Sequence, residues 1–213
     1  TNQDGLLDTI YVGTTGGFLY KMDISKAAVL ASTTFSSGPL LTPTLVTALR
    51  VTDTAWDPFK IFDTGGLPIY LAPTTFFVTS LNQYAVAFGT GDREDLWNIV
   101  KDSGGSNVRY SFYLIVDEGF TAATGGLPKN ASKYQQIDSL SASVASSSDF
   151  VINPGGGKSR GWYLFLQPEE RVITQAFGLS GVLIFSTYNP DPPGAFGAST
   201  TNCNYTGSSN NYV

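Results

Sequence analysis

The chain has 213 residues, of which 42% are hydrophobic and 14% are charged, and its formal net charge is −5. The hydrophobic fraction is sufficient for a packed core and excludes global disorder. An acidic chain repels nucleic-acid phosphates and anionic membrane surfaces, so neither is an expected partner. No apolar run is long enough for insertion into a bilayer.

The first element in the chain is a candidate calcium loop, T-N-Q-D-G-L-L-D, at residues 1–8. In loops of the form D-x-[DN]-x-D-G-x-x-D, alternate positions supply the oxygen ligands that Ca²⁺ prefers. On that pattern the ligands are Asn2, Asp4, Asp8 and the backbone carbonyl of Leu6. The first aspartate of the pattern would precede residue 1, so we expect the natural chain to extend upstream. The other interpretation is a plain Asp-Gly turn before a strand.

Short apolar runs separated by Gly, Pro, Asn and Asp clusters predict an all-β protein. The predicted strands are Thr9–Val12, Phe18–Asp23, Thr44–Val51, Lys60–Phe62, Ile69–Leu71, Thr75–Ser80, Tyr84–Gly89, Tyr110–Val116, Phe150–Ile152, Trp162–Leu166, Arg171–Phe177 and Val182–Thr187. Asp92–Lys101 is the place where a short helix or turn is expected. The Ser-rich residues 131–150 predict a long connection, and the C-terminal residues read as a polar tail.

Two of these strands, YLIV at 113–116 and VLIFST at 182–187, are apolar on both faces. Strands of this kind indicate sheets stacked against sheets, which is the arrangement of propeller blades. The repeated GGLP at 65–68 and 125–128 is weak internal similarity. A blade period of about 40–50 residues corresponds to roughly four or five blades. We therefore predict that residues 1–213 are a β-propeller, or part of one, with four-stranded antiparallel blades.

Catalytic machinery is not expected. The chain has no histidine, which excludes Ser-His-Asp and Cys-His catalysis and histidine-ligated zinc. The adjacent carboxylates Glu94/Asp95, Asp117/Glu118 and Glu169/Glu170 would point to opposite faces of a strand, and we expect them to be solvated loop charges. NPGGGKS at 153–159 lacks the first glycine of a phosphate loop and precedes a strand, so it predicts a hairpin loop.

The single cysteine, Cys203, lies in the polar C-terminal segment and has no second cysteine with which to form an internal disulfide. An unpaired exposed thiol is unusual in an oxidising compartment. Two interpretations stay open: a disulfide partner outside residues 1–213, or a free thiol without a role.

Four stretches in this order resemble the C-terminal β-propeller of the type IV pilus-tip adhesins of the PilC/PilY family. They are NQDGLLDTIYVGTTGGFLYKMDIS, GLPIYLAPTTF with YAVAFGTGDREDL, YSFYLIVDEG, and GWYLFLQPEERVITQAFGLSGVLIFSTYNP. The resemblance covers nearly the whole chain. No single motif is highly specific, and the ordered set carries the resemblance. The departures are the missing first aspartate of the calcium loop and a Ser-Gly turn before Val182 where the family has two glycines.

The resemblance implies an extracellular module at the pilus tip or outer cell surface that is not an enzyme. It implies a role in pilus assembly with minor pilins, and in attachment to a host or abiotic surface. Calcium bound by Asn2, Asp4, Leu6 and Asp8 would modulate these roles. Two alternatives stay open. One is a fragment of a quinoprotein-type propeller dehydrogenase, although the adjacent cysteine pair common in such enzymes is absent here. The other is a structural propeller scaffold for envelope protein assembly.

Overall fold

A computed structural model of the chain describes residues 9–23, 58–79, 81–96, 100–118, 127–128, 134–138, 150–152, 160–179, 182–190 and 207–213. The regular elements in these ranges are thirteen β-strands, so the all-β prediction is confirmed there. None of the described ranges holds a helix with the length and hydropathy needed to cross a bilayer. The predicted strand Thr44–Val51 lies outside the described residues.

The strands are β1 (Thr9–Gly13), β2 (Phe18–Asp23), β3 (Phe59–Asp63), β4 (Thr74–Val78), β5 (Gln83–Gly89), β6 (Ser111–Asp117), β7 (Leu127–Pro128), β8 (Tyr134–Asp138), β9 (Gly161–Phe165), β10 (Arg171–Val172), β11 (Phe177–Leu179), β12 (Val182–Asn189) and β13 (Ser208–Tyr212). They form three sheets. Sheet 1 has the order β1-β2-β3-β7, and sheet 2 has the order β4-β5-β6-β9-β8. In sheet 3 the long strand β12 pairs with β10 and β11 and also with β13.

Most neighbouring strands are antiparallel, but β7 runs parallel to β3, and β8 runs parallel to β9. Sheet 2 has five strands. These two features differ from the predicted four-stranded antiparallel blades. The physical reason is the length of chain between the paired strands. Residues 64–126 separate β3 from β7 and residues 139–160 separate β8 from β9, and a parallel pair needs a connection much longer than a tight hairpin.

Sheet 2 is the central layer because hydrophobic side chains on both of its faces are buried. Along β5 and β6, successive side chains point to opposite faces of the sheet. One face packs against Leu19, Ile61 and Phe62 of sheet 1, and its side chains are Val86, Phe88, Tyr113 and Ile115. Ala85, Ala87, Phe112 and Leu114 pack on the other side with Val172 and Phe185 of sheet 3. The prediction that residues 113–116 are buried on both faces is therefore confirmed, and the three sheets stack face to face.

Three strands, β7, β8 and β13, arise where the sequence predicts none. β8 lies inside the predicted connection 131–150, where Tyr134 and Ile137 are buried on opposite faces of sheet 2. β13 has the polar sequence SSNNY and was expected to belong to a tail. β8 and β13 form because a neighbouring strand, β9 or β12, offers each of them an edge with unpaired backbone groups, a contribution that local composition does not reveal.

Other predicted strands are shorter or absent. Ile69 is buried in the core, yet residues 69–71 and 150–152 join no sheet. The predicted strand Arg171–Phe177 is interrupted between β10 and β11. Asp92–Lys101 contains turns in its described part. Most apolar side chains of residues 69–71 and 150–152 pack against the core. Packing of this kind does not require a β-ladder.

Candidate functional site

The predicted calcium ligands Asn2, Asp4, Leu6 and Asp8 lie outside the described residues, and so does Cys203. Their prediction therefore stays a prediction. Within the described ranges, no group of three or more His, Cys, Asp or Glu side chains is placed to hold a metal ion.

The adjacent acidic residues Glu169 and Glu170 were expected to be solvated, and that expectation is wrong. Both are 0% exposed, as is the following Arg171. They lie in the turn from β9 to β10, where the Glu170 N–H donates to the Gln167 carbonyl and Glu169 has a φ of 64°. The positive φ of a non-glycine residue shows that its surroundings hold this turn in a costly conformation. The turn points both carboxylates into the protein instead of into solvent.

The Glu170 carboxylate binds groups from three segments. Its Oε1 accepts hydrogen bonds from Thr187 Oγ1 on β12, from Asn210 Nδ2 on β13 at 2.9 Å and from the Tyr212 hydroxyl at 3.0 Å. Its Oε2 accepts the Gln167 N–H at 2.9 Å. Burial, together with the charge and hydrogen bond of Glu170, raises the pKa of Tyr212 above its ordinary value. One buried carboxylate thus fixes the polar strand β13 onto sheet 3.

Arg171 and Glu169 form a buried ion pair, with 3.2 Å between Arg171 Nη2 and Glu169 Oε2. Arg171 Nη1 donates to the Asp95 carbonyl, and the guanidinium lies over the Tyr110 ring at 5.5 Å from its centroid. Burial raises the pKa of Glu169, and the hydrogen bond and charge of Arg171 oppose that shift. This pair connects the turn before β10 to the loop that carries Asp95.

A second buried ion pair joins sheets 1 and 2. Lys21 Nζ lies 2.7 Å from Asp117 Oδ2, and both side chains are 8% exposed. The Tyr11 hydroxyl donates to the same carboxylate oxygen, and burial, followed by Asp117, raises the Tyr11 pKa above its ordinary value. Asp117 was also expected to be solvated, and its burial corrects that prediction. Its neighbour Glu118 forms a half-exposed ion pair with Arg160 at 2.6 Å.

Three buried carboxylates of the described residues are held by groups of this same chain. Glu169, Glu170 and Asp117 bind groups of this chain out of contact with solvent. Glu94 and Asp95 are exposed, as the sequence predicts. A polar or charged group that is buried and hydrogen-bonded in this way specifies how sheets and loops meet.

An apolar cleft of about 1060 Å³ lies between sheets 2 and 3. The side chains that line it include Phe76, Phe77, Trp162, Leu183, Phe185 and Tyr212. Phe185, which lines the cleft, stacks on two other rings: its ring centroid lies 3.7 Å from that of Phe112 and 4.8 Å from that of Tyr212. The apolar lining suits the binding of apolar groups. In the sequence, the apolar run at 182–185 is the feature that corresponds to this cleft.

No family model and no curated protein matches this sequence. A solved structure has the same fold. The crystal structure of the Pseudomonas aeruginosa PilY1 C-terminal domain aligns with 89% of this chain, with a TM-score of 0.51 and 21% sequence identity. The alignment covers 43% of that chain, so residues 1–213 span less than half of the PilY1 structure. At this level of identity the comparison establishes a shared fold.

Proposed function

We propose that the chain is a non-enzymatic module of a type IV pilus-tip protein that supports pilus assembly and surface attachment. The observation that carries the proposal is the fold shared with the PilY1 C-terminal domain over 89% of the chain. The ordered set of motifs in the sequence supports the same proposal. A fold alone hosts many functions, so the proposal needs a test in the organism.

The proposed architecture is part of a β-propeller. Its support is the face-to-face stacking of three sheets, with both faces of the central sheet buried. Propeller blades pack on their neighbours in this way around a ring. A stack of three sheets would be an arc of such a ring.

The proposed calcium site is the loop before β1, with Asn2, Asp4, Asp8 and the Leu6 carbonyl as ligands. The loop would join directly to a strand of sheet 1, because β1 begins at Thr9. An ion bound there would order the start of the sheet, and this is how calcium would modulate the module. The proposed partners are minor pilins and a host or abiotic surface, at an extracellular site on the pilus tip or outer cell surface.

The test is a complementation experiment in the bacterium that carries the gene. We expect deletion to reduce surface pili and attachment, measured by immunoblotting sheared pilin and by counting adherent cells. The full-length protein should restore both. The double variant Asp4→Asn, Asp8→Asn should change piliation or attachment while leaving export unchanged. Asp53→Asn is the matched control, because it removes a carboxylate outside the loop.

Normal piliation and attachment in the deletion strain would refute the pilus role. If the deletion matters but the loop variant behaves like Asp53→Asn, the calcium site is wrong and the pilus role stands. A quinone absorbance in the purified protein would contradict the non-enzymatic proposal and favour a quinoprotein.

A further inference from the structure

Lys21 of β2 lies against Asp117 of β6, with 2.7 Å between Nζ and Oδ2, and both side chains are 8% exposed. The two residues are 96 positions apart in the sequence and belong to different sheets. The proposed function uses neither of them. An enclosed lysine amine that touches a carboxyl group is a pair of reactants as well as an ion pair, because the amine is a nucleophile and the two groups can condense to an amide.

Two further groups beside this pair can assist a condensation. The Tyr11 hydroxyl donates to Asp117 Oδ2, an oxygen on which negative charge grows when the amine attacks the carboxyl carbon. Asp23 is two residues beyond Lys21 on β2, so both side chains lie on the same face of the strand, and the Asp23 charge acts on the Tyr11 hydroxyl. The lysine therefore has a carboxyl group to attack and a second carboxylate nearby to carry a proton.

We propose that Lys21 and Asp117 form an intramolecular isopeptide bond that joins sheet 1 covalently to sheet 2. Nζ attacks Asp117 Cγ with its electron pair, so the Nζ–Cγ bond forms and one Cγ–O bond breaks. The oxygen leaves as water with two protons from the lysine ammonium, one of them carried by Asp23. The amide nitrogen keeps the remaining proton, so the reaction balances without an oxidant or a co-reactant.

Burial of the pair favours this reaction. Two charges enclosed away from water are costly, and condensation replaces them with a neutral amide. The fold also holds the reactants in contact, and the effective molarities of well-oriented intramolecular reactions reach roughly 10⁵–10⁸ M. Exclusion of water from the site then opposes hydrolysis of the product.

The bond closes a covalent loop from Lys21 to Asp117 that contains β3, β4 and β5. Residues 1–213 have a single cysteine, so a disulfide within them cannot serve this purpose. Like a disulfide, an isopeptide bond restricts the unfolded chain and so stabilises the fold. This inference rests on the contacts of these side chains and does not depend on the pilus role.

The experiment digests the folded, then denatured, full-length protein with trypsin and identifies the peptides by mass spectrometry. We expect a branched peptide in which cleavage after Lys21 is blocked. In it, the segment that contains Lys21 and residues 22–26 is joined to residues 110–129, with the loss of one water. Complete cleavage after Lys21, with residues 110–129 recovered as a linear peptide, overturns the proposal.

Variants separate the bond from the ion pair. Lys60→Arg is the matched control, because Lys60 and Asp63 form an exposed ion pair at 3.5 Å, and it should keep the branched peptide. Lys21→Arg should abolish it. Asp23→Asn should lower the branched fraction several-fold at a fixed time after synthesis, with an unchanged circular dichroism spectrum, and a fraction equal to that of the wild type would contradict the role of Asp23. None of these measurements uses piliation, so failure of this inference is distinguishable from failure of the proposed function.

Discussion

Glu170 acts as a single attachment point for groups that are distant in the sequence. Its carboxylate accepts hydrogen bonds from the turn at Gln167, from Thr187 on β12, and from Asn210 and Tyr212 on β13. Hydrogen bonds to a charged acceptor are stronger than neutral ones, and each donor would lose a buried partner without it. The polar strand β13 is therefore held by this buried carboxylate in addition to its backbone pairing with β12.

We expect Glu170→Gln to lower the free energy of unfolding by about 2–3 kcal/mol. The amide replaces one acceptor oxygen with an NH₂ group, which then faces donors instead of accepting from them. The measurement is the urea midpoint followed by tryptophan fluorescence. Glu94→Gln is the control, because Glu94 is exposed and its loss should change stability by less than about 0.5 kcal/mol. Equal midpoints for the two variants would contradict the assigned role of Glu170.

At the scale of elements, β8 shows how an edge strand stabilises the central sheet. It pairs with β9 in parallel register, and its Ile137 lies opposite Leu164 of β9. Ile137 is 4% exposed and belongs to the core between sheets 2 and 3. On its other face Tyr134 packs in the core between sheets 1 and 2. A short strand thus contributes to both hydrophobic layers.

Ile137→Ala should destabilise the protein by about 3 kcal/mol, because it removes buried methyl groups and leaves a cavity. Gln135→Ala in the same strand is the matched control. We expect a change below about 0.5 kcal/mol, since its side chain is half-buried and, among the described residues, it bonds to the neighbouring Gln136 carbonyl. Chemical denaturation of the two variants checks both values. A neutral Ile137→Ala would show that β8 does not pack on this core.

At the scale of the whole molecule, buried tyrosines occur in both interfaces of the stack. Burial is the leading cause that raises the pKa of Tyr113, Tyr134 and Tyr212 above the ordinary value, and it also raises the pKa of Tyr11. A tyrosine whose pKa is higher in the folded protein favours folding while it is protonated. Its contribution is complete below the unfolded pKa of about 10 and is lost as the pH rises towards the folded value.

The protein should therefore lose stability above about pH 10, and these tyrosines should ionise together with unfolding. Tyrosinate absorbance measured against pH, beside circular dichroism, checks this expectation. Tyr134→Phe removes one of the hydroxyls, so its stability should fall less steeply in the alkaline range. Ionisation of all eleven tyrosines near pH 10 with the fold intact would contradict the prediction.

Local sequence patterns are enough to predict the all-β class in the described ranges, the positions of the main strands and the double burial of β6. These features depend on apolar runs and turn residues that are local in the chain. The predicted calcium ligands are likewise a local motif, but they lie outside the described residues, so the sequence remains their whole support. The candidate site in the described part came mainly from the tertiary structure.

The burial of Glu169 and Glu170 follows from long-range contacts, because it depends on a turn that directs both side chains inward and on partners from β12 and β13. The same holds for β8 and β13, which are strands because distant strands offer them backbone partners. Propensity and periodicity describe what a segment favours alone. Long-range pairing and burial add energies of comparable size that no local pattern contains.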